Sequence, residues 1–440
     1  MAGYFDHAAT SGFHPPEVRE VVLKLLQTSQ GSLGRSSGAI DVSKRVRSNL
    51  KLLSGVNDSF KVVFTASATE ALNTILKGLV LSHVYGKKME LTATQTIANS
   101  AVVGSDLTVL HTPFCHNAVL RPLYYLERTY GLVRQVMPFN DFFLDVEGTI
   151  SQLCASRPIA VVFPAIGNVF GNVLPVKLIC ALVRKYSPET FIIVDGAQAV
   201  GAMELAPWSN YCDFIVFAGH KTLLGLPGVS GFITNGRVLL EPLIHGGTGV
   251  DSVLHDNPRS IPERYEAGTR NIYALAALEA STTWLLEQGI DAVQKHEQSA
   301  RTRLLEILSD YSWIHPLLPT KPKASDLAIT DLCLNSETNE PIAQASLNEF
   351  ESIGKESTQN WSSGIISVNT DYISVDEATR VLSEQGVITR AGLECAPLAH
   401  AHMGTAPSGT LRFSVNVGTN EEDFVVLRQA LNTINEGLGL

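Results

Sequence analysis

Two motifs in the middle of the chain place a carboxylate and a lysine at the ends of apolar strands. VDGAQAVG covers residues 194–201, and DFIVFAGHKTLLGLPG covers residues 213–228. Each begins as an apolar strand and ends in a polar turn that contains glycine. Asp195 and Lys221 should therefore border one crevice, where open α/β sheets bind ligands. A carboxylate and a lysine in that position can serve one cofactor.

Pyridoxal 5′-phosphate (PLP) is a cofactor whose chemistry needs this pair. It forms a Schiff base with a lysine, and an acidic partner keeps its pyridine nitrogen protonated, so that the ring accepts electrons from a substrate carbanion. Taken singly, Lys221 is typical of a solvated surface lysine, and Asp195 of a helix cap or turn residue. Gln198 and His220 at these spacings favour the cofactor hypothesis. The sequence therefore predicts PLP held on Lys221.

The elements around these motifs predict an α/β fold. Short apolar runs alternate with helical patterns between about residues 60 and 235, which is typical of a mainly parallel sheet covered by helices on both faces. After Thr69, apolar side chains recur at spacings of three and four, the pattern of a helix packed on a sheet. These side chains are Leu72, Ile75, Leu76 and Leu79, and the strand candidates are KVVFTA, AVVFPA, TFIIVDGA, DFIVFAG and VSGFITN.

The pattern changes after about residue 270, and the length of 440 residues favours two unequal domains. IYALAALEASTTWLLEQG predicts a connecting helix. The segments after it predict a smaller α+β domain: LAITDLCLN, GIISVN, VDEATRVLSEQG, TLRFSVN and EEDFVVLRQALNTI. We expect an N-terminal segment (1–20) packed with the small domain, a large domain (21–270) and a connector plus small domain (271–440). A polar stretch at about 335–364 is interpreted as a surface insertion.

Composition excludes several functional classes. The net charge is −10 and no run of Lys or Arg could follow a phosphate backbone, which argues against nucleic acid as a partner. The amino terminus lacks the features of a secretory signal, and no run reaches the ~18 apolar residues that span a bilayer. Six cysteines without a CxxC pair indicate neither a zinc site nor a disulfide framework. We expect a cytoplasmic protein without a membrane or metal partner.

Motifs along almost the whole chain resemble the class V aminotransferase fold family, and within it the cysteine desulfurase and selenocysteine lyase group. Besides the two motifs above, they are YFDHAATS (4–11), FTASATEALN (64–73), CHNAVLRPL (115–123), AIGNVFGNVLPV (165–176), RYEAGTRN (264–271), TRAGLECAPLAH (389–400) and LRFSVNVGTNEED (411–423). The resemblance implies the PLP-dependent transferase fold type I: a large domain with a mainly parallel sheet of the seven-stranded type, and a smaller α+β C-terminal domain.

The resemblance also implies how the phosphate is held. Ser67, Ala68 and Thr69 lie where a strand turns into a helix, so their backbone N–H groups and hydroxyls would face a dianion at a positive helix end. A plain capping turn has the same sequence signature. His220 resembles a second phosphate contact. Thr248, in HGGTG (245–249), resembles residues that reach the neighbouring subunit's cofactor, which implies a homodimer.

Other positions resemble the family's substrate contacts. His116 matches an imidazole that stacks on the pyridine ring and relays protons at the substrate carbon. Asn168 and Gln198 resemble groups that bond the substrate carboxylate region and the cofactor's phenolate oxygen. Arg412 matches a carboxylate clamp, since a guanidinium fits a carboxylate bidentately, and we include Arg390 among the substrate-binding residues.

Cys395 decides which reaction we expect. It resembles the loop cysteine that attacks the substrate sulfur and becomes a persulfide, with Arg390 as a nearby cation that suits a thiolate. The short loop resembles the group II subclass, which relies on an acceptor protein. L-Cysteine would become L-alanine, and selenocysteine stays open as a substrate. The alternatives are a PLP aminotransferase, epimerase or lyase without sulfur transfer, a buried structural role for the thiol, and a non-catalytic scaffold.

Four positions depart from the family pattern. His7 follows Asp6 where Asn is usual, Ala218 replaces Ser or Thr, and Leu226 replaces a more usual residue in the glycine turn. We expect these three to affect affinity for the cofactor. Glu394 precedes Cys395 where His is frequent, and a negative charge there would raise the pKa of the thiol and slow its attack.

Overall fold

The computed structural model describes residues 3–27, 42–92, 107–318 and 363–440. The predicted strand LAITDLCLN and nearly all of the polar stretch at about 335–364 lie outside these residues. Among the helices of the described ranges, none is both long and apolar enough to cross a membrane.

A seven-stranded sheet forms the centre of the larger part of the chain. Its strand order is β2-β10-β9-β8-β7-β3-β4, and β10 is antiparallel to both of its neighbours while the other neighbouring pairs are parallel. The strands are β2 (Lys61–Thr65), β3 (Thr108–His111), β4 (Val133–Val136), β7 (Ala160–Pro164), β8 (Phe191–Asp195), β9 (Phe214–Ala218) and β10 (Ser230–Thr234). The predicted α/β fold with a mainly parallel seven-stranded sheet is confirmed.

Helices cover both faces of this sheet because successive strand residues point to opposite sides. Val63 joins a hydrophobic cluster with α3, and its neighbour Phe64 joins a second cluster on the other face. The predicted stripe of α3 is buried, with Leu72 and Ile75 fully so. The helices are α1 (Pro16–Gln27), α2 (Val42–Ser54), α3 (Ala68–Thr92), α4 (Asn117–Tyr130), α5 (Val146–Ser156), α6 (Val176–Tyr186), α7 (Ala206–Ser209) and α8 (Ile272–Gln288), with a small hairpin of β5 (Phe139–Asn140) and β6 (Phe143–Leu144).

The remaining elements surround a four-stranded antiparallel sheet of order β11-β12-β15-β14. Its strands are β11 (Ile314–Pro316), β12 (Ile365–Thr370), β14 (Arg390–Gly392) and β15 (Thr410–Ser414). The helices are α9 (Ile290–Ser309), α10 (Val375–Glu384), α11 (Pro397–His402) and α12 (Glu421–Leu438). Helix α12 begins with a capping box in which Asn420 and Asp423 exchange bonds with each other's backbone N–H groups.

The N-terminal segment is bound to this second sheet system. Strand β1 (Gly3–Tyr4) pairs in parallel with β13 (Val387–Ile388). Phe5 is fully buried and contacts the rings of Phe413 and Phe424 at centroid distances of 6.4 and 5.7 Å. The predicted domain limits at residues 20 and 270 stay a prediction.

Replacing Phe5 by Ala tests this anchoring. Because the ring is fully buried between two others, we expect the substitution to lower the free energy of unfolding by about 3–5 kcal/mol. Urea denaturation measures the change when it is monitored by tryptophan fluorescence, to which Trp313 of the same cluster contributes. Val425→Ala is the control on α12, since Val425 is half exposed and should cost less than about 0.5 kcal/mol. Equal midpoints for the two variants would show that the segment does not support this core.

Candidate active site

A cavity of about 110 Å³ lies at the carboxyl ends of the central strands, next to the start of α3. Pro164, Asp195 and Ala218, which end β7, β8 and β9, are in its wall. Nine of the residues predicted from sequence line it: Ser67, Ala68, Thr69, His116, Asn168, Asp195, Gln198, His220 and Lys221. The parallel sheet brings them together because its carboxyl ends meet at one edge.

Asp195 and Lys221 are the ionisable pair at the bottom of this crevice. The Asp195 carboxylate is buried and accepts a hydrogen bond from the Ala197 N–H at 3.1 Å. Burial raises the pKa of Asp195, while the Ala197 N–H and the charge of Lys221 lower it. Burial also lowers the pKa of Lys221 to about 8, against the opposing effect of Asp195. At neutral pH the Lys221 amine is therefore uncharged in a larger fraction of molecules than the amine of a surface lysine would be. Attack on a carbonyl requires the uncharged amine.

Two histidines in the wall are neutral. The ring of His116 caps α4, its Nδ1 accepting the Ala118 N–H at 3.0 Å, so Nε2 carries the ring proton. Burial, with smaller contributions from Lys221 and nearby arginines, lowers the pKa of His116 to about 4. His220 is bonded through Nδ1 to the hydroxyl of Thr10 at 3.1 Å, and burial followed by the Lys221 charge lowers its pKa to about 4.

The start of α3 combines a cap with exposed donors. Ser67 Oγ accepts the Glu70 N–H at 3.1 Å, and the Glu70 carboxylate accepts the Ala66 N–H at 3.0 Å. Ala68 and Thr69 belong to the first turn, whose N–H groups have no acceptor within a helix. The capping turn and the anion cradle predicted here are therefore compatible, because the cap uses the N–H groups of Ala66 and Glu70 and leaves those of Ala68 and Thr69.

Arg412 is buried and already holds two partners. Its Nη1 donates to the Asn168 carbonyl and its Nη2 to Asp6 Oδ1, both at 2.8 Å. Its Nε has no hydrogen-bond partner in the described ranges. Across the β14 and β15 pair, Arg390 stands directly opposite Arg412, an arrangement in which like charges repel. The two guanidinium groups make this side of the site attractive to an anion.

Asp6 is a site residue that the sequence analysis missed. It lies in the YFDHAATS motif, but its partner Arg412 is 406 positions away, so no local pattern could pair them. Thr10 was missed for the same reason, since it contacts His220 from 210 positions away.

Cys395 lies in a loop that is tied to the cavity wall. Its carbonyl accepts the Asn117 N–H at 2.7 Å, beside His116. The Asn168 side chain donates to the carbonyl of Glu394 at 2.8 Å. Both loop residues have positive φ, +59° for Cys395 and +39° for Glu394, which non-glycine residues rarely adopt. Among the cysteines in the described residues, Cys395 alone is exposed.

The carboxylate of Glu394 is turned into the protein. It is buried and its Oε2 lies 3.0 Å from His400 Nε2. Burial raises the pKa of Glu394, whereas the bond to His400 and the charges of Arg412 and Arg390 lower it. The predicted effect of this charge on Cys395 stays a prediction.

The other positions singled out from sequence lie at the edge of the site or away from it. Thr248 is partly exposed, with its hydroxyl bonded to the Val250 carbonyl at 3.3 Å, and it does not line the cavity. Ala218 is in the cavity wall, and Leu226 packs against the core. His7 is buried outside it and accepts the Gly12 N–H, and burial lowers the pKa of His7 to about 3.

Comparison with known proteins gives the family. The family model for aminotransferase class-V matches residues 3–105, 91–344 and 334–427. The chain therefore belongs to the class-V aminotransferase family. It is 25% identical over 437 residues to a probable cysteine desulfurase of Pasteurella multocida, covering 98% of this chain and 88% of that one. It is 24% identical over 441 residues to a cysteine desulfurase of Haloferax volcanii, covering 96% and 87%.

Solved structures share the fold. The apo cysteine desulfurase of Thermococcus onnurineus matches with a TM-score of 0.76 and 20% identity, covering 99% of this chain and 95% of that one. The cysteine desulfurase CsdA of Escherichia coli, with an S-sulfonic acid, matches with a TM-score of 0.74 at 20% identity over the same shares. The predicted fold type, that of the cysteine desulfurases, is confirmed.

Replacing Asp6 by Ala tests the Asp6–Arg412 pair. The change leaves a buried guanidinium without its counter-ion, and we expect a loss of about 3–5 kcal/mol in the free energy of unfolding. The matched control is Asp310→Ala, which removes the exposed Arg428–Asp310 pair at the same distance of 2.8 Å. That control should cost less than about 1 kcal/mol. If chemical denaturation gives the two variants the same stability, Asp6 does not neutralise Arg412.

Proposed function

We propose that this protein is a PLP-dependent cysteine desulfurase that converts L-cysteine to L-alanine and leaves a persulfide on Cys395. The observation that carries the proposal is the position of the Cys395 loop. The Cys395 carbonyl accepts from Asn117, next to His116, and the Glu394 carbonyl accepts from Asn168. His116 and Asn168 line the cavity that also contains Lys221 and Asp195. The names of the relatives support the same reaction.

The donor set fits PLP. Lys221 would hold the aldehyde carbon, Asp195 would pair with the pyridine nitrogen, and the ring of His116 would stack on the pyridine. The first turn of α3 and His220 would hold the phosphate. A buried carboxylate facing a lysine of lowered pKa is the combination that this cofactor requires. When bound, PLP supplies an electron sink that weakens the bonds at Cα and Cβ of the substrate.

Residues of the chain bind the substrate, transfer its protons and attack its sulfur. Arg412 and Arg390 bind the α-carboxylate of L-cysteine, because Arg412 Nε has no hydrogen-bond partner in the described ranges and Arg390 stands opposite Arg412 on the neighbouring strand. The neutral amine of Lys221 removes the proton from Cα. The thiolate of Cys395 attacks the substrate sulfur. A sulfur–sulfur bond forms as the Cβ–sulfur bond breaks, and the released electron pair stays with the carbon skeleton. His116, protonated at Nε2, relays the proton that Cβ takes up.

The product persulfide must leave the enzyme. Cys395 is exposed at its loop, so an acceptor protein with a thiol or a small thiol can reach its sulfur. The cytoplasm, where thiols are kept reduced, suits this chemistry.

Borohydride reduction of the PLP-loaded protein tests the role of Lys221. We expect peptide mapping to find the pyridoxyl group on Lys221, and Lys221→Ala to stay folded and inactive. Mixing apo-protein with PLP at increasing pH should give faster covalent loading, with a midpoint near pH 8, because the neutral amine attacks and the pKa of Lys221 is about 8. Absorbance in the visible range follows the loading. A label on another lysine, or a midpoint near that of free lysine, contradicts the assignment.

Cys395→Ser tests the sulfur chemistry. An alkoxide is not available near neutral pH, so the variant should bind PLP and lose alanine formation from L-cysteine. Mass spectrometry after brief exposure of the wild type to L-cysteine should show one added sulfur on the peptide that contains Cys395. Cys154→Ser, at a cysteine that is only partly exposed, is the control and should keep full activity. Full turnover by Cys395→Ser would favour the PLP enzyme without sulfur transfer. Added sulfur on the buried Cys115 would instead identify Cys115 as the nucleophile.

We also propose a homodimer in which Thr248 reaches the partner subunit's cofactor. The loop around it exposes apolar side chains that a single chain leaves uncovered, with Val253 93% and Leu254 57% exposed. A Cβ placed at Gly247 would meet no atom within 4 Å, and one at Gly246 would meet only the Cβ of Ala267 at 3.7 Å, so this backbone is open to approach.

Val253→Asp tests the dimer. Because the side chain is exposed in one subunit, the change should leave the subunit folded but weaken association, and light scattering at assay concentration should show a shift toward monomer with lower activity. Tyr372→Asp is the control, since Tyr372 is 79% exposed on the small sheet system, and it should change nothing. A wild type that is fully active as a monomer would overturn the proposal.

A further inference from the structure

A buried pair behind the nucleophile loop has no part in the reaction described above. Glu394 Oε2 and His400 Nε2 lie 3.0 Å apart, and both side chains are fully buried. The other ring nitrogen, His400 Nδ1, lies 2.8 Å from the hydroxyl of Thr405. With both ring nitrogens engaged, the imidazole is fixed in position and in orientation. Glu394 Oε1 has no partner among the residues that the structure describes.

The support for His400 is rigid. Its ring packs against Phe170 at a centroid distance of 5.7 Å, and Phe170 in turn packs against Phe142 at 5.6 Å. His402 lies on the same short helix α11. Its Nε2 donates to the Asp141 carbonyl at 2.7 Å, and its ring contacts that of Phe114 at a centroid distance of 5.6 Å. Helix α11 is therefore held against the large domain.

Glu394 transmits this rigidity to the nucleophile because it is the residue immediately before Cys395. Its carbonyl accepts from Asn168 and its side chain is held by His400, so its backbone is fixed from two sides. Glu394 and Cys395 both have a positive φ, a conformation that non-glycine residues rarely adopt unless the surrounding structure holds them in it. The Cys395 carbonyl bond to Asn117 completes the arrangement.

We propose that Glu394 and His400 are positioning residues that hold the Cys395 loop in the conformation from which the thiolate reaches the substrate sulfur. The inference rests on the proposed function and names a determinant of its sulfur-transfer step. The pair acts through a hydrogen bond, so an amide at position 394, which keeps an acceptor for the His400 N–H, should replace the carboxylate.

A second role for Glu394 predicts different kinetics. Its charge acts on Arg412 and Arg390, so it could instead tune the site for the substrate carboxylate. In that case Glu394→Gln, which removes the charge, would change KM for L-cysteine. A positioning role predicts a change in kcat with KM held, and only when the hydrogen bond is lost.

The experiment uses the PLP-loaded full chain with Glu394→Ala, Glu394→Gln, His400→Ala and the double alanine variant. We expect Glu394→Ala and His400→Ala to lower the single-turnover rate of persulfide formation about tenfold to a hundredfold, as a misplacement of ~1 Å can. The spectral change on adding L-cysteine and KM should stay within about twofold. Glu394→Gln should stay near the wild type, and the double variant should be no slower than either single one.

Two control variants separate positioning from loss of stability. Asp371→Ala breaks the exposed His315–Asp371 pair at 2.7 Å and should have no effect. Glu297→Ala removes a buried carboxylate that accepts the Gly364 N–H at 2.7 Å, far from the nucleophile in sequence, and should lower stability without slowing persulfide formation. If Glu297→Ala forms the persulfide as slowly as Glu394→Ala, the Glu394–His400 pair has only a general structural role. An equal loss in Glu394→Gln, or a change confined to KM, would also overturn the proposal.

Hydrogen exchange gives a readout that does not depend on the reaction. Backbone amides of residues 393–396 should exchange about tenfold faster in Glu394→Ala and His400→Ala, and at the wild-type rate in Glu394→Gln, since local opening sets exchange. Unchanged exchange in the alanine variants refutes the positioning role even if the protein desulfurates L-cysteine. Faster exchange together with a wild type that forms no persulfide supports the positioning of the loop and refutes the proposed reaction.

Discussion

The desolvation of Lys221 near Asp195 is the constraint on which the rest of the site depends. An ammonium group inside the fold loses hydration, so the protein must either neutralise it or supply a counter-charge. Desolvation lowers the pKa of Lys221 to about 8, and the charge of Asp195 opposes that effect only in part. The lysine is consequently poised between its two protonation states near neutral pH. The neighbouring His116 and His220 stay neutral because of their own burial and, to a smaller extent, because of the Lys221 charge.

The N-terminal segment connects this centre to the second sheet system. Ser11 and Thr10 contact the carbonyl of His220, next to Lys221, and Gln198 donates to the Ala8 carbonyl at 2.8 Å. In the same segment, Asp6 neutralises Arg412 on β15. One short stretch therefore connects the Lys221 region to Arg412. Its anchoring by Phe5 is part of the active-site geometry as well as of the core.

The sequence was most informative where a local pattern fixes position. Asp195 and Lys221 follow apolar strands, and the carboxyl ends of parallel strands share an edge, so their meeting could be predicted from two segments. The capping signature of Ser67 and Glu70 likewise places the start of α3 at the cavity. Asp6 and His400 could not be found in this way. The partner of Asp6 is 406 positions away, and the His400 ring is engaged only because α11 folds back beneath the Cys395 loop. Thr248 does not line the cavity of its own chain, and its predicted role at a partner subunit's cofactor stays a prediction.

Charge explains why the loop residue before the nucleophile matters. Arg390 and Arg412 face each other across two strands, and Asp6 and Glu394 are the carboxylates that act on this cationic side in the described ranges. Asp6 holds Arg412 directly, whereas Glu394 is turned to His400 and reaches the arginines only through space. In the proposed reaction, the substrate carboxylate would find Arg412 Nε, which no partner in the described ranges occupies. Turning Glu394 inward serves two requirements at once: it keeps a competing carboxylate out of the anion site, and it uses that carboxylate to fix the backbone that presents Cys395.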